Sequence, residues 1–142
     1  MGRKSTGEYP ANWTEISQAV KDAAGWRCIR CNHPHDIDAG KMLTVHHLDL
    51  NKSNCAWWNL AALSQDCHLR IQGKVIMERI WVFEHSEWFK PYVSGYYYAQ
   101  MARRNGYAVP TDYYESLVWF PRALAADRAA IMIAYGQGLV SA

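Results

Sequence analysis

The chain carries little charge of either sign and no long apolar run. Charged residues are 20% of its 142 positions, and the formal net charge is only +2 with a pI near 8.4. That weakly basic balance permits a nucleic-acid partner without demanding one. The longest apolar stretches fall well short of a bilayer span. The first ten residues, MGRKSTGEYP, lack the apolar core of a secretory signal. MGRKST fits the loose myristoylation pattern, but nothing else points to a membrane. These absences lead to the expectation of a cytoplasmic protein with no membrane partner. Internal repeats and low-complexity segments are also missing, and the length suits one folded unit of modest size.

What is present is concentrated. Five of the six histidines and all four cysteines lie between Cys28 and His68. Imidazoles and thiols bind soft or borderline metals, and imidazoles exchange protons near neutral pH. Seven Trp and nine Tyr give a large aromatic content elsewhere. In a chain without a secretory signal, four cysteines read as metal ligands rather than disulfides.

Residues 1–11 read as a mobile arm. Thr14 offers an N-cap, and Ile16, Ala19, Val20 and Ala23 recur at helical spacing up to Gly25, so a helix is expected over about 14–24. Cys28-Ile29-Arg30-Cys31 has the spacing of a zinc knuckle, in which a tight turn aims two thiolates at one ion. A redox dithiol is the alternative, but it usually sits in a βαβ pattern that is absent here. Leu43 to Leu48 reads as a strand, Asp49 to Asn54 as a polar loop, and Leu60 to Leu63 as a return strand or the approach to a helix. Ser64 is a candidate cap for a helix to about Gln72, closed by Gly73. Val75 to Phe83 could be a strand or extended segment. Ser86 to Gly106 looks mainly helical with an interruption near Pro91. Thr111 or Asp112 caps a further segment, and Pro121 suits the first turn of a last helix reaching Tyr135.

His46-His47, Asn59 and His68 resemble the signature of HNH endonucleases, the ββα-metal nucleases, in the stretches VHHLD, NLAAL and CHL. The upstream Cys28-x-x-Cys31 resembles the zinc-bearing branch of that family. The resemblance covers roughly residues 26–74. It implies a small ββα-metal core over 26–74; with the N-terminal arm and helix over 1–25 and the mainly helical, aromatic-rich extension over 75–142 read from the residues, the expected fold is α+β. It implies hydrolysis of DNA phosphodiester bonds, nicking included. His47 would be the general base, His46 and His68 would hold a divalent metal, and Asn59 would fix the loop that orients His47. The metal could be Mg, Mn, Ni or Zn. Cys28, Cys31 and Cys67 would hold a structural zinc.

The chain departs from the family pattern in two places. Ser64 stands where the zinc branch commonly has a fourth cysteine, leaving Cys55, His33 or His35 as substitutes. Gln72 stands one turn after His68, where colicin-type members carry another histidine. One stereochemical demand also follows: neighbours in a regular strand face opposite ways, so His46 and His47 can serve one phosphate only where the strand ends or bends.

Each feature has an ordinary alternative. The thiols could be merely buried, and the paired histidines a polar strand end. Trp57-Trp58 and Tyr96-Tyr97-Tyr98 are better read as core than as base-stacking platforms. Lys52, Arg70, Lys74 and Arg79 are candidate phosphate contacts against a background of scattered surface charge, and His85 reads as structural. The competing function is a non-catalytic, zinc-stabilised nucleic-acid-binding module.

Overall fold

Leu43, Thr44 and Val45 favour extended backbone, and the chain there forms β1 (Leu43–His47). It pairs antiparallel with β2 (Leu60–Ser64), His46 opposite Ala61 and His47 opposite Leu60. Helix α2 (Gln65–Gln72) follows β2 without a loop. The computed structural model describes residues 4–78 and 87–126. Among the described residues it is an α+β structure with a two-stranded antiparallel sheet and four α-helices: α1 (Trp13–Ala23), α2, α3 (Lys90–Arg104) and α4 (Tyr113–Ala126). That arrangement is compatible with a small ββα core. Among the described residues no helix is long and apolar enough to cross a membrane.

The described chain divides into two compact units. The first comprises residues 4–55 and 59–78. In it α1 and α2 both pack against both strands. Ile16 and Val20 on α1, Leu43 on β1, Leu60 and Leu63 on β2, Ile71 on α2, and Leu48, Val75 and Met77 are buried together as its apolar interior. Every residue of β2 is buried, as expected of a strand covered on both sides.

The second unit comprises residues 56–58 and 87–126. Trp58 with Ala56 and Ala99 forms its centre, and Trp57, Tyr96, Trp119 and Phe120 pack around them. Gly95 on α3 lies so close to this centre that an added Cβ would come within 2.5 Å of the Trp58 Cβ. Glycine is thus required by space rather than by backbone angle. Trp58 and Tyr98 are core residues, and Trp57 is half-buried against them, as their apolar surface favours.

Several local expectations are corrected. Residues 4–10 are not a free arm. Thr6 forms a parallel bridge with Asn51, its N–H donating to the Leu50 carbonyl and its carbonyl accepting from the Lys52 N–H, each at 2.8 Å. Helix α1 begins at Trp13 with Asn12, not Thr14, at the cap position: the Asn12 carbonyl accepts the first helical bond, from the Ile16 N–H at 3.1 Å. At its other end Gly25 takes φ +64°, and the N–H groups of Gly25 and Trp26 close back on the Asp22 and Lys21 carbonyls. Pro91 does not interrupt a helix. It sits in the first turn of α3, where its missing N–H leaves nothing unpaired. Pro121 does not start a helix but lies inside α4, which begins at Tyr113. The Asp112 carboxylate accepts the Glu115 N–H at 3.0 Å and so sets that earlier start. Most of the expected extended segment after Val75, the end of the last helix, Arg79 and His85 lie outside the described residues.

Candidate metal centre and histidine cavity

The first cluster is built by a hairpin. Arg27 bridges to Pro34, the Cys28 N–H bonds to the His33 carbonyl, and Asn32 turns the chain at φ +63°. The Ile29 N–H reaches the Ala62 carbonyl of β2 at 3.0 Å, which fastens the hairpin beside the β2–α2 junction. Cys67, in the first turn of α2, is thereby brought to Cys28 and Cys31. The three sulfurs lie within 4.8 Å of one another. Tetrahedral zinc with Zn–S of about 2.3 Å wants sulfurs roughly 3.8 Å apart, so the donor set and its spacing fit such an ion. Three close thiols can hold a metal such as zinc, and among the described residues this is the single group of three or more His, Cys, Asp or Glu with that geometry.

The surroundings favour thiolate at one corner. Burial pushes the Cys28 thiol up. Backbone hydrogen bonds at Cys31, Ser64 and Arg30 outweigh it and bring the pKa down to about 7. The Cys31 N–H approaches the Cys28 sulfur at 3.4 Å, and an Arg30 guanidinium N–H approaches Cys67 at 3.6 Å. Burial keeps the Cys67 thiol raised.

Ser64 occupies the expected fourth corner. Its Oγ lies 3.6 Å from the Cys31 sulfur. The hydroxyl donates to the Asp66 carboxylate at 2.8 Å instead of capping α2. Asp66 is in turn paired with Lys41. The proposed substitutes are elsewhere. His33 Nδ1 faces the Pro34 carbonyl, and His35 Nδ1 accepts the Leu43 N–H. Cys55 is corrected as a zinc ligand: its sulfur lies 3.8 Å from His47 Nε2, beside the other cluster. The polar loop after β1 returns Cys55 to the strand end rather than to the knuckle.

The second cluster is a cavity of about 230 Å³ lined by Ser5, Tyr9, Val45, His46, His47, Leu50, Lys52, His68 and Gln72. His46 and His47 are 3% and 5% exposed. β1 ends at His47, and both histidines border the one cavity. The His46 and His68 rings are 4.5 Å apart between centroids.

The tautomer of His68 follows from its neighbour. The Thr44 hydroxyl donates its one proton to the Leu63 carbonyl at 2.8 Å, and its oxygen is 2.9 Å from His68 Nδ1. That nitrogen must then carry the hydrogen, which leaves Nε2 with a free lone pair. Burial lowers the His68 pKa as well, so the neutral ring is favoured. An imidazole with a fixed N–H and an open nitrogen is suited to a borderline metal.

His47 is oriented differently. It lies against Trp13, ring centroids 4.9 Å apart. Burial lowers its pKa to about 4, opposed by the Asp49 charge and by a hydrogen bond to the Lys52 carbonyl. Burial thus favours the neutral ring. Asn59, 1% exposed, holds the intervening loop. Its Oδ1 accepts the Asp49 N–H at 3.0 Å, and its Nδ2 donates to Asp49 Oδ1 and to the Asn54 carbonyl, both at 2.8 Å.

Of the proposed phosphate contacts, Lys52 lines the cavity, whereas Arg70 and Lys74 do not. Thr44, Tyr9 and Ser5 were not singled out as site residues from the sequence. Thr44 was accessible in principle, since residues two apart on a strand share a face and Thr44 precedes His46 by two. Tyr9 had only its spacing of four from Trp13 as a signal. Compared with family models, curated proteins and solved structures, the chain matches none.

Proposed function

We propose that this chain is a metal-dependent DNA endonuclease of the HNH type, hydrolysing phosphodiester bonds. The observation that carries the reading is that His46 and His47, from one strand end, and His68, from the following helix, line the same cavity. His47 is the general base. Its neutral ring takes a proton from water as the water oxygen bonds to phosphorus and the bond to the leaving oxygen breaks. Asn59 holds the 49–54 loop, including the Asp49 beside His47, and so positions the base. His46 and His68 would hold a divalent cation, Mg, Mn, Ni or Zn, which would supply charge stabilisation at the phosphate and leaving oxygen. The Cys28, Cys31 and Cys67 cluster would hold a structural zinc, which would tie the hairpin to α2.

A second reading, a zinc-stabilised binding module without catalysis, is favoured by the thiol cluster alone. It gives no reason for a buried, neutral His47 beside a cavity. Metal titrations of cleavage separate the roles. His68→Ala should need more metal and regain part of its rate with excess. His47→Ala should stay about 100- to 10,000-fold slow at every metal concentration. Identical curves for the two variants would refute the assignment.

A further inference from the structure

The cavity lining contains three histidines and one lysine but no carboxylate. Lys52 is also the point at which three parts of the site meet. Its N–H bonds to the Thr6 carbonyl of the N-terminal segment. Its carbonyl engages the His47 ring and accepts from the Cys55 thiol at 3.5 Å. Its ammonium lies over the Tyr9 ring, 5.2 Å from the centroid. Tyr9 itself is stacked on Trp13, centroids 5.0 Å apart with 25° between planes, and is 53% exposed. The segment carrying Tyr9 is held by more than one bond. At Gly7, φ is +70° and an added Cβ would meet the Asn51 and Ser53 side chains at 2.2 and 2.4 Å. Only glycine permits so close an approach.

We propose that Lys52 and Tyr9 form a subsite for a DNA phosphate, with Lys52 as the anion contact and Tyr9 as the positioning residue. This deepens the nuclease reading and rests on it. The physical case is charge and preorganisation. A lysine stem has many rotamers, and a cation–π contact at a ring already stacked on Trp13 restricts them. The ammonium is thereby kept at the wall of a cavity bordered by His47. The N-terminal segment becomes part of the substrate site rather than a tether.

The test uses the 142-residue chain carrying His47→Gln, so that a short DNA duplex is bound but not cut, and measures Kd across a salt series. Lys52→Met should reduce the slope of log Kd against log salt by about 0.9, the effect of one phosphate contact, and weaken low-salt binding roughly tenfold. Lys52→Arg should restore the slope. Tyr9→Leu should weaken binding less than Lys52→Met does, and Tyr9→Phe, which keeps the ring, should recover it. Circular dichroism of each variant confirms that the fold persists. An unchanged slope in folded Lys52→Met overturns the subsite even if the wild type nicks DNA. A reduced slope in a protein whose wild type cuts nothing with any divalent metal supports the subsite and overturns hydrolysis. Lys52-dependent binding of inorganic phosphate without DNA binding overturns DNA as the ligand.

Discussion

Replacing Asn59 by alanine should release the loop that follows β1. The side chain makes three hydrogen bonds and is almost wholly buried. A neutral intramolecular hydrogen bond contributes about 1 kcal/mol net, and one to a charged group about 1.5–3 kcal/mol. The bond to Asp49 Oδ1 is of the second kind, but Asp49 retains the Asn51 N–H and the Asn54 amide as donors. The alanine variant should therefore lose about 3 kcal/mol. The loss is best read at the Asp49 amide, whose partner is Asn59 Oδ1. Its hydrogen-exchange protection should fall by more than a hundredfold, since 1.4 kcal/mol is a factor of ten. Asn59→Asp keeps the acceptor, removes both donors and sets a carboxylate against Asp49, so it should be at least as damaging. Asp49 protection within threefold of wild type in both variants would refute the loop-holding role.

Other perturbations test the remaining features. Ser64→Cys should complete a four-thiolate site and raise both zinc retention against a chelator and the melting temperature, whereas Cys55→Ser should leave zinc content unchanged. Zinc release by Cys55→Ser would contradict the placement of Cys55 beside His47. In metal-free protein, His47 has a folded pKa near 4 against an ordinary 6.5, so the unfolded chain binds the extra proton between those values. Stability from this group is complete above pH 6.5 and is lost as pH falls towards 4, by at most about 3 kcal/mol; His68 acts in the same direction. His47→Gln should flatten that part of the stability–pH curve, and an equally steep curve would show the dependence to lie elsewhere.

The ββα arrangement was legible because local signals agreed. β-branched residues precede the histidine pair, and buried positions four apart, Cys67 and Ile71, fit one face of α2. The knuckle and its third cysteine were legible from spacing and resemblance, since a hairpin beside a β2–α2 junction needs little else. Cys55 was misplaced because sequence shows a thiol without showing which way its loop returns. The N-terminal segment was misread for a related reason. Its bonds are main-chain bonds to Leu50 and Lys52, and polar, glycine-containing text carries no periodicity that reveals them. Trp57 and Trp58 gave no sign that a three-residue excursion would supply the centre of the second unit. Pro121 was misplaced because α4 starts at the Asp112 cap, well before the proline, and runs through it.

Plasmid nicking by the 142-residue chain separates hydrolysis from binding alone. Supercoiled DNA is incubated with wild type and with His47→Ala, each supplied in turn with Mg, Mn, Ni and Zn, and open-circular product is followed over time. The wild type should cleave with at least one of these ions and not without added metal, and folded His47→Ala should be at least about 100-fold slower. Equal nicking by both proteins, or none by the wild type with any of the four ions, would contradict it.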